Sequence, residues 1–197
     1  MKFKLFKTEI YVTFMFSATV AFMLATDRTG LILPTLFAVL IHEAGHLFAM
    51  WAGDCAPKEI RLAPAAVSIV ESYPRSARAG VWIILCGPLA NIATGAALYI
   101  NYYLGGKELS LRFCIINFAL AAFNLLPVAG LDGGRLLAAS LCRKHDLYTA
   151  MRIVKLVTLS VAVALVFFGV FLLFRGEKNI SVITVALYMA ICAMIKS

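Results

Sequence analysis

The sequence predicts an all-α membrane protein with six transmembrane helices and a small membrane-associated β-hairpin or re-entrant loop between helices 2 and 3. Three observations carry this. Of the 197 residues, 62% are hydrophobic and 14% charged, whereas a water-soluble domain is nearer half apolar and a quarter charged. The mean hydropathy is +0.92. The apolar residues also fall into runs of near-spanning length, with the cations lying between them. A chain this apolar would hold large greasy patches against water, so a bilayer is the better solvent.

A spanning helix needs about 20 mostly apolar residues. The basic stretch Met1 to Lys7 precedes the first run, from about Ile10 to Ala25. No small-residue cleavage site closes that run, so a retained first span is expected rather than a removed signal. The second run extends from about Leu31 to Trp51, the third from Val81 to Tyr103 and the fourth from Phe113 to Pro127. The fifth covers Ile153 to Phe174 and the sixth Ile180 to Ile195. Two stretches do not fit a span. Pro57 to Pro74 is too polar, but it holds the alternating piece Ile60-Arg61-Leu62 and the β-branched piece Val67-Ser68-Ile69-Val70, with Pro64 between them. That reads as a hairpin or re-entrant loop at the interface. In Gly130 to His145, Asp132-Gly133-Gly134 reads as a turn or helix start, followed by a short amphipathic helix.

The net charge is +8. The cations form neither a stripe nor a tail, so nucleic acid is not the indicated partner. With a cytoplasmic N-terminus, only Arg28, Lys107, Arg112, Arg175 and Lys178 fall in outside loops, leaving 13 of the 18 lysines and arginines inside. The positive-inside rule then places both termini in the cytoplasm. Aromatic residues such as Trp51, Tyr73, Trp82, Tyr102 and Tyr103 stand near the predicted interfaces. The five cysteines form no C-x-x-C pair and read as small buried hydrophobes rather than a disulfide scaffold. Asn91 and Asn117, inside apolar runs, are expected to make interhelical hydrogen bonds.

The chemistry centres on His42-Glu43-Ala44-Gly45-His46. Residues four apart share a helix face, so both imidazoles can grip one metal ion, and the glutamate between them can reach a water held there. That is two zinc ligands and a general base. Three ionisable residues within an apolar run cost roughly 3 kcal/mol each if left unpartnered, and such a cluster is a functional site by default.

Zinc in a catalytic site takes a third protein ligand. Asp132 is the better candidate. Pro127 and Gly130 break the helix ahead of it, and Gly133 and Gly134 allow close approach. His145, flanked by Lys144 and Asp146, and Glu71 are lesser alternatives, and Asp132 could instead cap the helix that follows.

His42 to His46 in the second span, followed by Asn124, Pro127 and Leu131-Asp132-Gly133-Gly134, resembles the site-2 protease family of intramembrane metalloproteases, whose second motif reads N-x-x-P and then L-D-G-G. Gly87-Pro88-Leu89-Ala90-Asn91 looks like a further element of that family. The resemblance covers roughly residues 31–143 and is nearest the six-span sporulation stage IV type, without its CBS domain. It departs from the family at Ala129 and Gly130, where prolines are frequent.

The resemblance implies that His42, His46 and Asp132 bind one Zn2+, that Glu43 is the catalytic base and that Asn124 positions the substrate. The expected function is an intramembrane zinc metalloendopeptidase that cuts in or near the transmembrane segment of a membrane-bound substrate. The chain is expected to be one integral-membrane protease domain, 1–197, with a catalytic core of about 31–143 and accessory helices at 10–25, 153–174 and 180–195. The expected partners are a single-span or membrane-tethered protein substrate and the lipid bilayer, with room for a regulatory membrane partner. The expected location is a bacterial cell membrane. The alternative is a membrane metal-ion transporter or channel, but a base locked between two ligands argues for hydrolysis, and the paired repeats of transporters are not visible.

Overall fold

The computed structural model describes residues 2–5, 8–55, 57, 59–63, 66–70, 76–175 and 181–195. It divides into two compact units, Met1–Ala122 and Phe123–Ser197. The first holds strands β1 (Lys2–Leu5) and β2 (Thr8–Val12), helices α1 (Phe14–Thr26) and α2 (Ile32–Ala52), strands β3 (Glu59–Ala63) and β4 (Ala66–Val70), helix α3 (Ala77–Tyr103) and nearly all of α4 (Glu108–Asn124). The second holds α5 (Asp132–Leu141), α6 (Leu147–Phe174) and α7 (Ser181–Ile195).

The strands form one sheet in the order β1-β2-β3-β4. Strands β1 and β2 are antiparallel, as are β3 and β4, with Arg61 opposite Ser68. The central pair is parallel, with Ile10 beside Ile60. A parallel pair needs a crossover, and here α1 and α2 lie between the two strands. The all-α expectation therefore needs correction. Strands β3 and β4 occupy the segment read as a hairpin or re-entrant loop, while β1 and β2 occupy residues read as the basic lead-in and the start of the first span. The reason is local: Thr8-Glu9-Ile10-Tyr11-Val12 is β-branched, aromatic and alternating, which suits a pleated strand. Helix α1 starts only after Thr13, whose hydroxyl caps the Phe16 N–H at 3.2 Å.

Three described helices, α2, α3 and α6, are long and apolar enough to cross a bilayer. Helices α1, α4 and α7 have 13, 17 and 15 residues. At 1.5 Å per residue they rise about 20–26 Å, short of the ~30 Å hydrocarbon core. Among the described residues, three of the six predicted spans meet this length criterion.

Large apolar side chains lie on the outside as well as in the core. Phe14, Tyr103 and Phe174 are more than four-fifths exposed, while fully buried positions are held by Ala38, Asn91, Asn117, Ala150, Thr158 and Ala186. Small and polar residues inside with large apolar residues outside is how helices pack in lipid, where close approach and hydrogen bonds replace the hydrophobic drive. In the first unit, Met50, Cys55 and Ile83 cluster at the C-terminal end of α2. In the second, Val128, Ala162 and Met189 cluster with Leu131 and Leu165.

The α1–α2 turn is built on Asp27. Its carboxylate accepts from the N–H groups of Thr29 and Gly30 and the Thr29 hydroxyl at 2.8–2.9 Å, and from the Ile32 N–H at 3.0 Å. Gly30 lies at φ +68°, in the left-handed region glycine tolerates. These donors, Ile32 foremost, hold the Asp27 carboxyl below the usual carboxylate range.

Candidate metal centre

On α2 the residues Ala38, His42, His46 and Met50 recur every fourth position and are buried, as one stripe of a 3.6-residue helix must be. Helix α3 lies along that stripe. A Cβ on Gly45 would run into the Cys86 carbonyl oxygen and come within 2.9 Å of the Ala90 Cβ. Only glycine allows the two backbones to meet there. On the facing side, a Cβ on Gly87 would lie on the His46 imidazole. Pro88 follows it inside α3, and proline supplies no N–H to the carbonyl four residues back.

Each ring is anchored by its Nδ1. In His46 this atom is 2.8 Å from the Ile83 carbonyl oxygen, and in His42 it is 2.7 Å from Asn91 Oδ1. The rings meet edge to face, with centroids 4.8 Å apart and planes at 84°. Their Nε2 atoms face one another at 3.2 Å, and both residues are 4% exposed. Glu43, the next residue round the helix from His42, is half-buried. The histidine pair thus converges within one unit as the i, i+4 spacing predicts.

Asn91 donates from Nδ2 to the Ala38 carbonyl and to Asn117 Oδ1, both at 2.9 Å. The interhelical hydrogen bonds expected of the two asparagines are present, and Asn91 also grips His42. Sequence reasoning missed that contact, as well as the Ile83 carbonyl and the space Gly87 leaves for His46. The only trace of them in the sequence is Gly87-Pro88 and Asn91 within one apolar span.

The second unit carries Asn124 and Asp132. Asn124 ends α4 and is half-buried. A tight loop follows. The Val128 N–H donates to the Leu126 carbonyl at 2.7 Å, the Leu131 N–H donates to that of Val128 at 3.0 Å, and Gly130 sits at φ +95°. From α6, the Thr158 hydroxyl accepts the Ala129 N–H at 2.8 Å and donates to the Val154 carbonyl at 2.7 Å. The loop packs onto the first turn of α5 so closely that a Cβ on Gly133 would strike the Leu125 and Leu126 carbonyls, and one on Gly134 that of Val128. Asp132 opens α5 and is 6% exposed, with Arg135 Nη1 3.9 Å from its Oδ1. Peptide dipoles at a helix start favour a carboxylate in that place. His145 is exposed in the turn after α5, and Glu71 lies outside the described residues.

Comparison with known proteins agrees with this picture. A family model described as Peptidase family M50 matches residues 108–169. A zinc metalloprotease of Methanocaldococcus jannaschii is 26% identical over 191 residues, covering 91% of this chain and 54% of that protein. The chain therefore spans about half the length of the curated relative it matches. The solved structure of a site-2 protease from Methanocaldococcus jannaschii superposes with a TM-score of 0.73 at 23% identity, covering 100% of this chain and 94% of that one. The fold is that of a site-2 protease, and the three matches support the family resemblance carried by the motifs.

Proposed function

We propose that this site-2-protease-like chain is an intramembrane zinc metalloendopeptidase that hydrolyses a peptide bond in or near the transmembrane segment of a membrane-bound substrate. One observation carries the reading: two buried imidazoles, His42 and His46, with Nε2 atoms 3.2 Å apart, on a helix long and apolar enough to span a bilayer. The M50 and metalloprotease matches support it over the transporter alternative.

The donors fit zinc. A carbonyl can only accept, so His46 Nδ1 donates to Ile83 and a neutral ring keeps its lone pair on Nε2. Two imidazole nitrogens at ~2.0–2.1 Å from one tetrahedral zinc lie about 3.3–3.4 Å apart, close to the 3.2 Å of this pair. We assign His42 and His46 as two ligands and Asp132 as the third. Burial, the helix-start position and the L-D-G-G motif support Asp132. Bound there, one zinc ion supplies a Lewis acid that acidifies water and polarises the scissile carbonyl.

Glu43 acts as the base. It takes a proton from the attacking water and returns it to the leaving amine, keeping the proton count of hydrolysis balanced. Asn124 positions the substrate, and its amide N–H can donate to the developing oxyanion. The proposed setting is a bacterial cell membrane, with six spans and both termini cytoplasmic, supported by the 13 cations assigned to inside segments.

The substrate is a single-span or membrane-tethered protein. Its helix hides the peptide bonds, so it must unwind locally before attack. Strand β4 pairs only with β3 among the described residues, and we assign its other edge to the extended substrate as an added strand. Proline replacements through Val67–Val70 are expected to slow cleavage with zinc content unchanged, and unchanged cleavage would remove the strand from the account.

The function is tested by reconstituting the protein with a single-span substrate and comparing wild type with Glu43→Gln. The variant is expected to keep its zinc and lose about 10²-fold or more of its cleavage rate. Wild-type cleavage by Glu43→Gln would overturn the assignment.

A further inference from the structure

The proton on His42 is fixed by a chain of hydrogen bonds that begins on α4. Asn117 Nδ2 lies 2.8 Å from the Phe113 carbonyl oxygen. That oxygen can only accept, so the amide nitrogen must be the group facing it. Asn117 Oδ1 is then turned toward Asn91, which answers with Nδ2 at 2.9 Å. The second N–H of the same Nδ2 goes to the Ala38 carbonyl, also at 2.9 Å. With both N–H groups committed, Asn91 can present only Oδ1 to His42, and it does so at 2.7 Å from Nδ1. Both asparagines are fully buried. Reversing either one would set donor against donor and acceptor against acceptor in a low-dielectric interior.

We infer that Asn91 and Asn117 are positioning residues that hold His42 in its Nδ1–H tautomer and so aim the Nε2 lone pair at the metal. The inference rests on the zinc reading above for its purpose, but not for the tautomer itself. Neutral imidazole in water favours the opposite form, with the proton on Nε2, which cannot ligate through that atom. The relay removes this competition before a metal arrives. Ile83 does the same for His46 through a backbone carbonyl, which no side-chain substitution can delete. His42 depends on side chains and is therefore the ligand that substitution can mis-set. Outer hydrogen-bond partners of metal-bound histidines act in this way, fixing tautomer and ring orientation.

The test uses the full chain in detergent micelles, labelled with nitrogen-15 at its three histidines and stripped of zinc by a chelator. Nitrogen chemical shifts report which ring atom carries the proton, and single His→Gln replacements assign the signals. The wild type is expected to show Nδ1–H at His42. Asn117→Leu removes one of the two acceptors that fix the Asn91 amide and leaves only the Ala38 carbonyl, so the Nδ1–H population at His42 is expected to fall. Its zinc dissociation constant, measured by competition with a chelator, should rise about 10- to 100-fold. Asn117→Asp, protonated in its buried place, retains one donor and one acceptor and is expected to restore both readouts. A wild-type His42 protonated on Nε2 overturns the inference without any variant, and so does an Asn117→Leu tautomer identical to wild type. A wild type with Nδ1–H at His42 that takes up no zinc overturns the proposed function and leaves the tautomer assignment standing.

Discussion

Gly87 and His46 compete for one place: a Cβ on the glycine would coincide with the imidazole of the histidine. Helix α3 is hollowed where α2 carries its His42–His46 face, and Gly45 makes the reciprocal allowance for the backbone of α3 at Cys86. The histidine pair is therefore positioned by residues that have no side chain, as well as by hydrogen bonds.

Gly87→Ala tests that allowance. The added methyl must push the ring aside or part the helices. We expect a stability cost of about 1–3 kcal/mol from overpacking and a loss of zinc affinity of about tenfold or more. Thermal melts in detergent and zinc per chain by atomic emission measure the two effects. Wild-type zinc uptake in Gly87→Ala would show that His46 is not held by this contact.

Thr158 tests the loop that leads to Asp132. Thr158→Val preserves shape but leaves the Ala129 N–H without its 2.8 Å acceptor. Stranding a part-buried donor costs about 1–3 kcal/mol, so the melting temperature should fall. Thr158→Ser keeps the hydroxyl and should recover most of the loss. Equal melting of Thr158→Val and wild type would mean that the loop holds itself.

Asp27 predicts a pH dependence. Its folded pKa lies below its unfolded value because the Ile32 N–H and its neighbours hold the charged form. Such a group contributes stability above the unfolded pKa, near pH ~4, and loses it as pH falls through the folded pKa. Wild type should therefore outlast Asp27→Ala at neutral pH, with the difference shrinking as the pH drops below about 4. A gap that stays constant down to acid pH would contradict the turn as described.

Much of this was legible in the sequence because two kinds of signal are local. His42 and His46 are four residues apart, and helix geometry alone puts them on one face. The short amphipathic helix from Asp132, the strand pieces around Ile60 and Ile69, and the long apolar helices also declare themselves in windows of a few residues. The strands before Phe14 were hidden because apolar-run counting cannot separate a β-branched strand from the start of a short helix. Helix length alone recovers only part of the span count for a related reason: the described helices α1, α4 and α7, with 13, 17 and 15 residues, are apolar but short. The relay from Asn117 through Asn91 to His42 joins residues 26 and 49 positions apart, and composition reports only that buried amides need partners.

X-ray absorption at the zinc edge of the purified wild-type chain, set beside Asp132→Ala, tests the central claim most directly. The account predicts two imidazole nitrogens and a carboxylate oxygen around one zinc in the wild type, with the carboxylate contribution gone in the variant and the imidazoles retained. A zinc shell that is unchanged by Asp132→Ala, or one that contains fewer than two imidazoles in the wild type, would contradict it.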